Sequence, residues 1–146
     1  MKRNCLFIFL IILPLFFMSC GNPQKQLIGT WENQDKVIEF TQDSFMIINK
    51  NAKNVLAFQG TYTFAKDPSN CIKMKYENYM DNEYNWYSLE GTELEGYVDN
   101  ILFMIDKDEL QTYVIANQET YTYQRIPEEI LEQMKNEYEN AQSSVK

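Results

Sequence analysis

The chain has 146 residues, 13 Lys plus Arg against 21 Asp plus Glu, a formal charge of −8 and no His. That length fits one domain, and the acidic balance argues against nucleic acid, whose phosphates must be met by clustered cations. Without imidazole there is no Ser–His or Cys–His nucleophile pair and no general base of the commonest kind.

Residues 1–22 open with Lys2 and Arg3, run on as an apolar stretch from Cys5 to Met18, and end in small and polar residues. This is the three-part plan of a secretory signal. The rival is a membrane-spanning helix, but about 14 residues at about 1.5 Å each reach only about 21 Å of a hydrocarbon core about 30 Å thick. Pro14 interrupts them as well. At the end of the stretch, Phe17-Met18-Ser19-Cys20-Gly21 resembles the lipobox of bacterial lipoproteins, where a small residue precedes the Cys that is lipidated. Ser19 and Cys20 match, while Phe17 and Met18 depart from the usual Leu and small residue. The resemblance implies a signal peptide over residues 1–19, a diacylated (palmitate-type) Cys20 as the new N-terminus, and a membrane reached through that lipid anchor. The alternative is ordinary cleavage followed by a free thiol. With Gly21 after the Cys, the implied address is the bacterial outer membrane, the domain facing the periplasm or the exterior. Residues 20–26 then read as a lipidated Cys and polar tether. Loss of Lys2 and Arg3 takes the formal charge to about −10, which repels an anionic bilayer surface. Cys71 is the one cysteine beyond Cys20, so no internal disulfide is expected, and it reads as a small strand residue.

Alternation with period two dominates from residue 27 to 126, with turn residues at the spacing of an all-β sandwich or barrel. The first strand is expected at Leu27–Glu32. Val37–Thr41 and Ser44–Asn49 follow as a hairpin, then Val55–Ala65, with Leu56, Phe58, Gly60, Tyr62 and Phe64 on one side and a bend or bulge at Gly60. Cys71–Tyr79 alternates again, with Ile72, Met74 and Tyr76 on one face. Between Asp81 and Asn100 two strands are expected, one around Tyr84–Ser88 and one around Leu94–Val98, with a turn at Glu90-Gly91-Thr92. Ile101–Ile105, Leu110–Ile115 and Thr120–Arg125 complete a set of about nine strands. Pro127, followed by Glu128 and Glu129, starts a helix over 127–141. Its apolar stripe is Ile130, Met134, Tyr138 and Ala141, with Leu131 alongside, and residues 142–146 are expected to fray.

Gly29-Thr30-Trp31 at the start of the first strand resembles the Gly-x-Trp signature of lipocalins and their calycin relatives. The resemblance implies a compact antiparallel lipocalin-like β-barrel over 27–126, in which Trp31 packs across the base beneath Arg125. Such a barrel is either just filled by its own side chains or holds one small ligand. Phe58, Tyr62, Met74, Tyr76, Trp86 and Phe103 are the candidate pocket lining.

Two further patterns fail as sites. Glu93 and Glu95 share one strand face near Glu90 and Asp99, but Leu94 and Val98 claim the core side, so the carboxylates face solvent. Asp81-Asn82-Glu83-Tyr84-Asn85 alternates like a calcium loop, yet Trp86 and Thr92 stand where Gly and an acid are needed. The expectation is a non-enzymatic binding protein with no catalytic residue, cofactor or metal. Its ligand is a small hydrophobic molecule in the barrel, or, alternatively, an envelope protein docked on a solid-core barrel. Tyr79, Tyr84, Tyr87 and Tyr97 discriminate: together outside the barrel they favour docking, and lining a cavity with Trp86 they favour the small molecule.

Overall fold

Among the described residues the period of two yields nine strands. These are β1 (Gly29–Glu32), β2 (Lys36–Phe40), β3 (Ser44–Asn49), β4 (Val55–Phe64), β5 (Cys71–Asp81), β6 (Trp86–Ser88), β7 (Val98–Asp106), β8 (Glu109–Val114) and β9 (Glu119–Ile126). The structure, a computed structural model, describes residues 22–144, so the expected signal peptide and Cys20 lie outside the described residues. Among the described residues no helix is long and apolar enough to cross a membrane.

Every pairing is antiparallel, β9 returns to β1, and β5 pairs with both β4 and β7. Eight strands therefore close in the order β1-β2-β3-β4-β5-β7-β8-β9, a lipocalin-like architecture that removes the free edges of the ring. β6 is an extra strand attached to the upper part of β5 through Asn78–Met80. Alternation sends one face of each strand inward. Trp31, Ile38, Phe40, Phe45, Ile47, Tyr62, Ile72, Met74, Ile101, Phe103, Leu110 and Tyr123 form the buried interior.

A second apolar cluster lies on the outer wall, where Val37, Ile48, Ala57 and Met80 are covered by a C-terminal helix, α2 (Glu128–Ser144). A preceding one-turn helix, α1 (Pro23–Leu27), starts at Asn22, whose side chain accepts from the Gln24 N–H. On α2, Leu131 is 1% exposed and packs with Met134 and Tyr138. Lys135 ties this helix to the wall through Glu39 at 3.2 Å and is also paired with Glu132 at 3.0 Å.

Five expectations are corrected. β1 begins at Gly29, because residues 23–27 are helical and Leu27 turns down into the core; the end of the expected tether is thus folded. Residues 94–97 form turns instead of a strand, with Gly91 and Gly96 at positive φ, and Val98 continues directly into Ile101 as one long strand. Leu56 joins the outer cluster, because the register shifts between Val55 and Ala57. The helix runs to Ser144, past the expected fraying point. Its stripe is centred on Leu131, leaving Ile130 39% exposed.

Gly60 lies at a second register shift, as its break in the strand pattern suggested. A Cβ there would strike the Lys75 carbonyl oxygen, so β4 and β5 approach this closely only over glycine.

Candidate functional site

The two ends of the barrel are built differently. At the lower end, Trp31 is wholly buried and its indole N–H donates to the Leu27 carbonyl at 2.8 Å. The Arg125 guanidinium lies 4.0 Å from the Trp31 ring centroid and donates to the Ile28 carbonyl at 3.0 Å and the Gln26 carbonyl at 2.7 Å. Trp31 and Arg125 are also direct cross-strand partners. Gly29 takes φ +132°, which L side chains rarely adopt, and a Cβ there would also push aside the Arg125 terminal nitrogen. These residues brace a closed floor made of α1, β1 and β9.

Above the floor is an internal chamber of about 150 Å³, whose lining includes Leu27, Ile38, Ile72, Met74, Ile101, Phe103, Thr112 and Tyr123. Lys36, Tyr76, Tyr97 and Asp99 line its upper end, and a mouth of about 270 Å³, formed by Lys36, Ile47, Asn49, Phe58, Tyr76, Leu89, Leu94 and Tyr97, adjoins it through the shared Lys36, Ile47, Tyr76 and Tyr97. The loop between β6 and β7 supplies Leu89, Leu94 and Tyr97. It is held by the buried Leu89 and by the Leu89 N–H, which donates to the Glu77 carbonyl at 2.8 Å.

Polar groups gather at this upper end. Asp99 is 8% exposed, yet its two carboxylate oxygens accept from the Tyr97 hydroxyl at 2.9 Å and the Tyr76 hydroxyl at 3.0 Å. Burial, and then the Asp99 charge, push the Tyr76 phenol far above its ordinary range. For Tyr97 the hydrogen bond to Asp99 is the main cause of an upward shift. Both phenols therefore stay protonated as donors. Lower down, burial also raises Tyr123 strongly. Across the mouth, the Lys36 ammonium sits 4.6 Å from the Tyr121 ring centroid, and the Tyr121 hydroxyl bonds Glu119.

Of the expected lining residues, Met74 and Phe103 face the chamber, Phe58 the mouth, and Tyr76 both. Tyr62 points inward below the chamber, where it donates to the Thr41 carbonyl at 2.6 Å and meets Phe40 and Phe64 edge-on. Trp86 is 39% exposed and stands outside the barrel, in a groove of about 290 Å³ shared with Met80, Tyr84 and Tyr138. The register explains why: Trp86 pairs with Met80, on the part of β5 above the bulge that faces the outer wall. The four discriminating tyrosines divide. Tyr97 lines the mouth, Tyr84 packs on Tyr138 under α2, and Tyr79 stacks on Tyr87 along β5 and β6.

Lys36 and Asp99 are the site residues that strand reading missed as lining, whereas Tyr97 was left open as one of the four discriminating tyrosines. Lys36 needed only one more step back along the alternation of Ile38 and Phe40. Asp99 needed the same step back from Ile101 and Phe103, so it faces inward and not, like Glu93 and Glu95, to solvent. Asp81 accepts from the Glu83 and Asn85 backbone N–H groups, closing a turn. Among the described residues no three His, Cys, Asp or Glu side chains converge as a metal site needs. Comparisons of the chain with protein-family models, curated proteins and solved structures find no match.

Proposed function

We propose that the chain is an exported lipoprotein of the bacterial envelope, anchored through Cys20 in the outer membrane, whose lipocalin-like barrel binds a small hydrophobic molecule without catalysis. The observation that carries this reading is the asymmetry of the barrel: a braced lower end, and an apolar chamber that opens through a mouth at the other. Small-molecule sites have that form, an apolar wall with a few convergent polar groups. A chamber of about 150 Å³ is small, matching the engineered apolar cavities that take benzene. The ligand is therefore about one ring or one branched aliphatic group at its buried end.

A second reading, an envelope protein-interaction module, is favoured by the outer groove where Trp86 and Tyr84 are presented beside α2. Methyl NMR of the full chain with toluene separates the two. Shifts at Met74, Ile72 and Ile101 support the carrier; an unperturbed interior refutes it and leaves the outer face as the site. For the anchor, Cys20→Ser is expected to move the protein from the membrane to the soluble fraction, and an unchanged membrane fraction would refute lipidation.

A further inference from the structure

We propose that the mouth recognises a small zwitterion, its carboxylate at Lys36 and its amino group at Asp99, with a side group the size of one ring in the chamber. The inference rests on the reading of the barrel as a small-molecule carrier.

Topology places the two charges. β2 is second and β7 sixth in the closed ring of eight, so they stand half a turn apart, on opposite walls. Lys36 is the first residue of β2 and Asp99 the second of β7, and in antiparallel order both positions are at the open end. Each lines the chamber itself, and Lys36 the mouth as well. The open end thus offers one positive and one negative group on facing walls, with an apolar hole between and below them.

Neither charge is neutralised by an opposite charge: Lys36 meets the Tyr121 ring, and Asp99 meets two tyrosine hydroxyls. No ion pair among the described residues uses Lys36 or Asp99. A buried carboxylate without a cation is costly, and a positive group brought by a ligand relieves that cost. The two tyrosine hydroxyls occupy one acceptor position on each Asp99 oxygen, and a carboxylate has about four. Phe58, Tyr76 and Tyr97, packed at 5.5–5.6 Å between centroids, add ring faces that attract a cation. On the opposite wall, Lys36 is the one cation lining either the chamber or the mouth. Asp35 and Glu119 stand near Tyr121 on that side, and neither is paired with Lys36. The ligand class is an α-amino acid or similar amino-carboxylate with one aromatic or branched apolar side group. A long acyl chain does not fit a chamber of about 150 Å³.

The test is calorimetric titration of the full chain, solubilised in detergent, with four probes: L-phenylalanine, 3-phenylpropionate, phenethylamine and toluene. Phenylalanine is expected to bind at least about tenfold tighter than either single-charge probe, the least that one charged hydrogen bond contributes. Lys36→Met should weaken phenylalanine and phenylpropionate about tenfold and leave phenethylamine unchanged. Asp99→Asn should do the converse. Because Asp99→Asn also alters the bonds from Tyr76 and Tyr97, Lys36→Met, which removes no protein hydrogen bond, stands as the independent arm. Phenylalanine binding no tighter than toluene overturns the zwitterion and leaves the apolar carrier intact. If toluene also fails to bind, the carrier reading falls with it. Affinity for phenylalanine that is unchanged in Lys36→Met overturns the proposal whatever the other variant does.

Discussion

Replacing Arg125 by Ala removes a cation over an indole and two hydrogen bonds from a charged donor to the carbonyls of Gln26 and Ile28. The stack is worth about 0.5–2 kcal/mol and each charged hydrogen bond about 1.5–3 kcal/mol when fully desolvated. The Arg125 side chain is 31% exposed, which lowers both figures, and the three contacts share one group and are not additive. The expected loss is about 3 kcal/mol, read as a shift of the urea midpoint at constant slope, or a fall of roughly 10 °C in melting temperature. Arg125→Lys keeps the charge but cannot span two carbonyls with a flat fork, so it should lose about half as much. Asp108→Asn breaks only a 3.8 Å pair to a carboxylate that is 79% exposed, and should change stability by less than about 0.5 kcal/mol. Toluene binding should survive in Arg125→Ala at temperatures where the variant is folded. A loss below about 0.5 kcal/mol for Arg125→Ala, or lost binding at unchanged stability, would refute the assignment of Arg125 as a brace.

Three other outcomes are expected. Gly60→Ala should cost about 3 kcal/mol or more, since the methyl meets backbone that cannot move without breaking the β4–β5 ladder; near-normal urea unfolding would contradict the close approach. Leu131→Ala should cost about 2–4 kcal/mol and speed amide exchange throughout α2 before the barrel, because this side chain is 1% exposed and packs on the wall. At high pH the unfolded chain releases its phenol protons near pH 10 while native Tyr76 and Tyr123 keep theirs, so stability is retained below about pH 10 and lost above it. The slope should approach about 1.4 kcal/mol per pH unit for each of the two groups, and urea midpoints that stay flat up to about pH 11.5 would refute their burial.

The lower end of the barrel was readable because its parts are short-range words: a Gly-x-Trp at one strand start and an Arg at the end of the last strand. The upper end was not, and the reasons are local. A bulge between β4 and β5 changes which face of β5 points inward; Gly60 marked its place on β4, but period-two reading did not carry the inserted residue across to β5. That one shift carried Trp86 from the expected interior to the outer wall. Glycines at 91 and 96 take positive φ and dissolve the expected second central strand into turns, which hid the continuity from Val98 to Ile105 and with it the inward position of Asp99. Tyr62 was placed on the right face but at the wrong height, since alternation reports side and says nothing of depth. Leu131 outranked Ile130 because one residue of helix rotation, about 100°, decides which of two adjacent apolar side chains meets the wall.

α1 joins the fold at the braced end, with its cap Asn22 the first described residue, while the mouth opens at the opposite pole. An anchor at Cys20 would then hold the domain like a cup standing on its base, its rim turned from the bilayer that holds it. Cargo would be exchanged with the aqueous compartment or with a facing surface, and not drawn from the protein's own membrane. On the proposed reading, the end of the barrel that the tether reaches would set the direction of traffic.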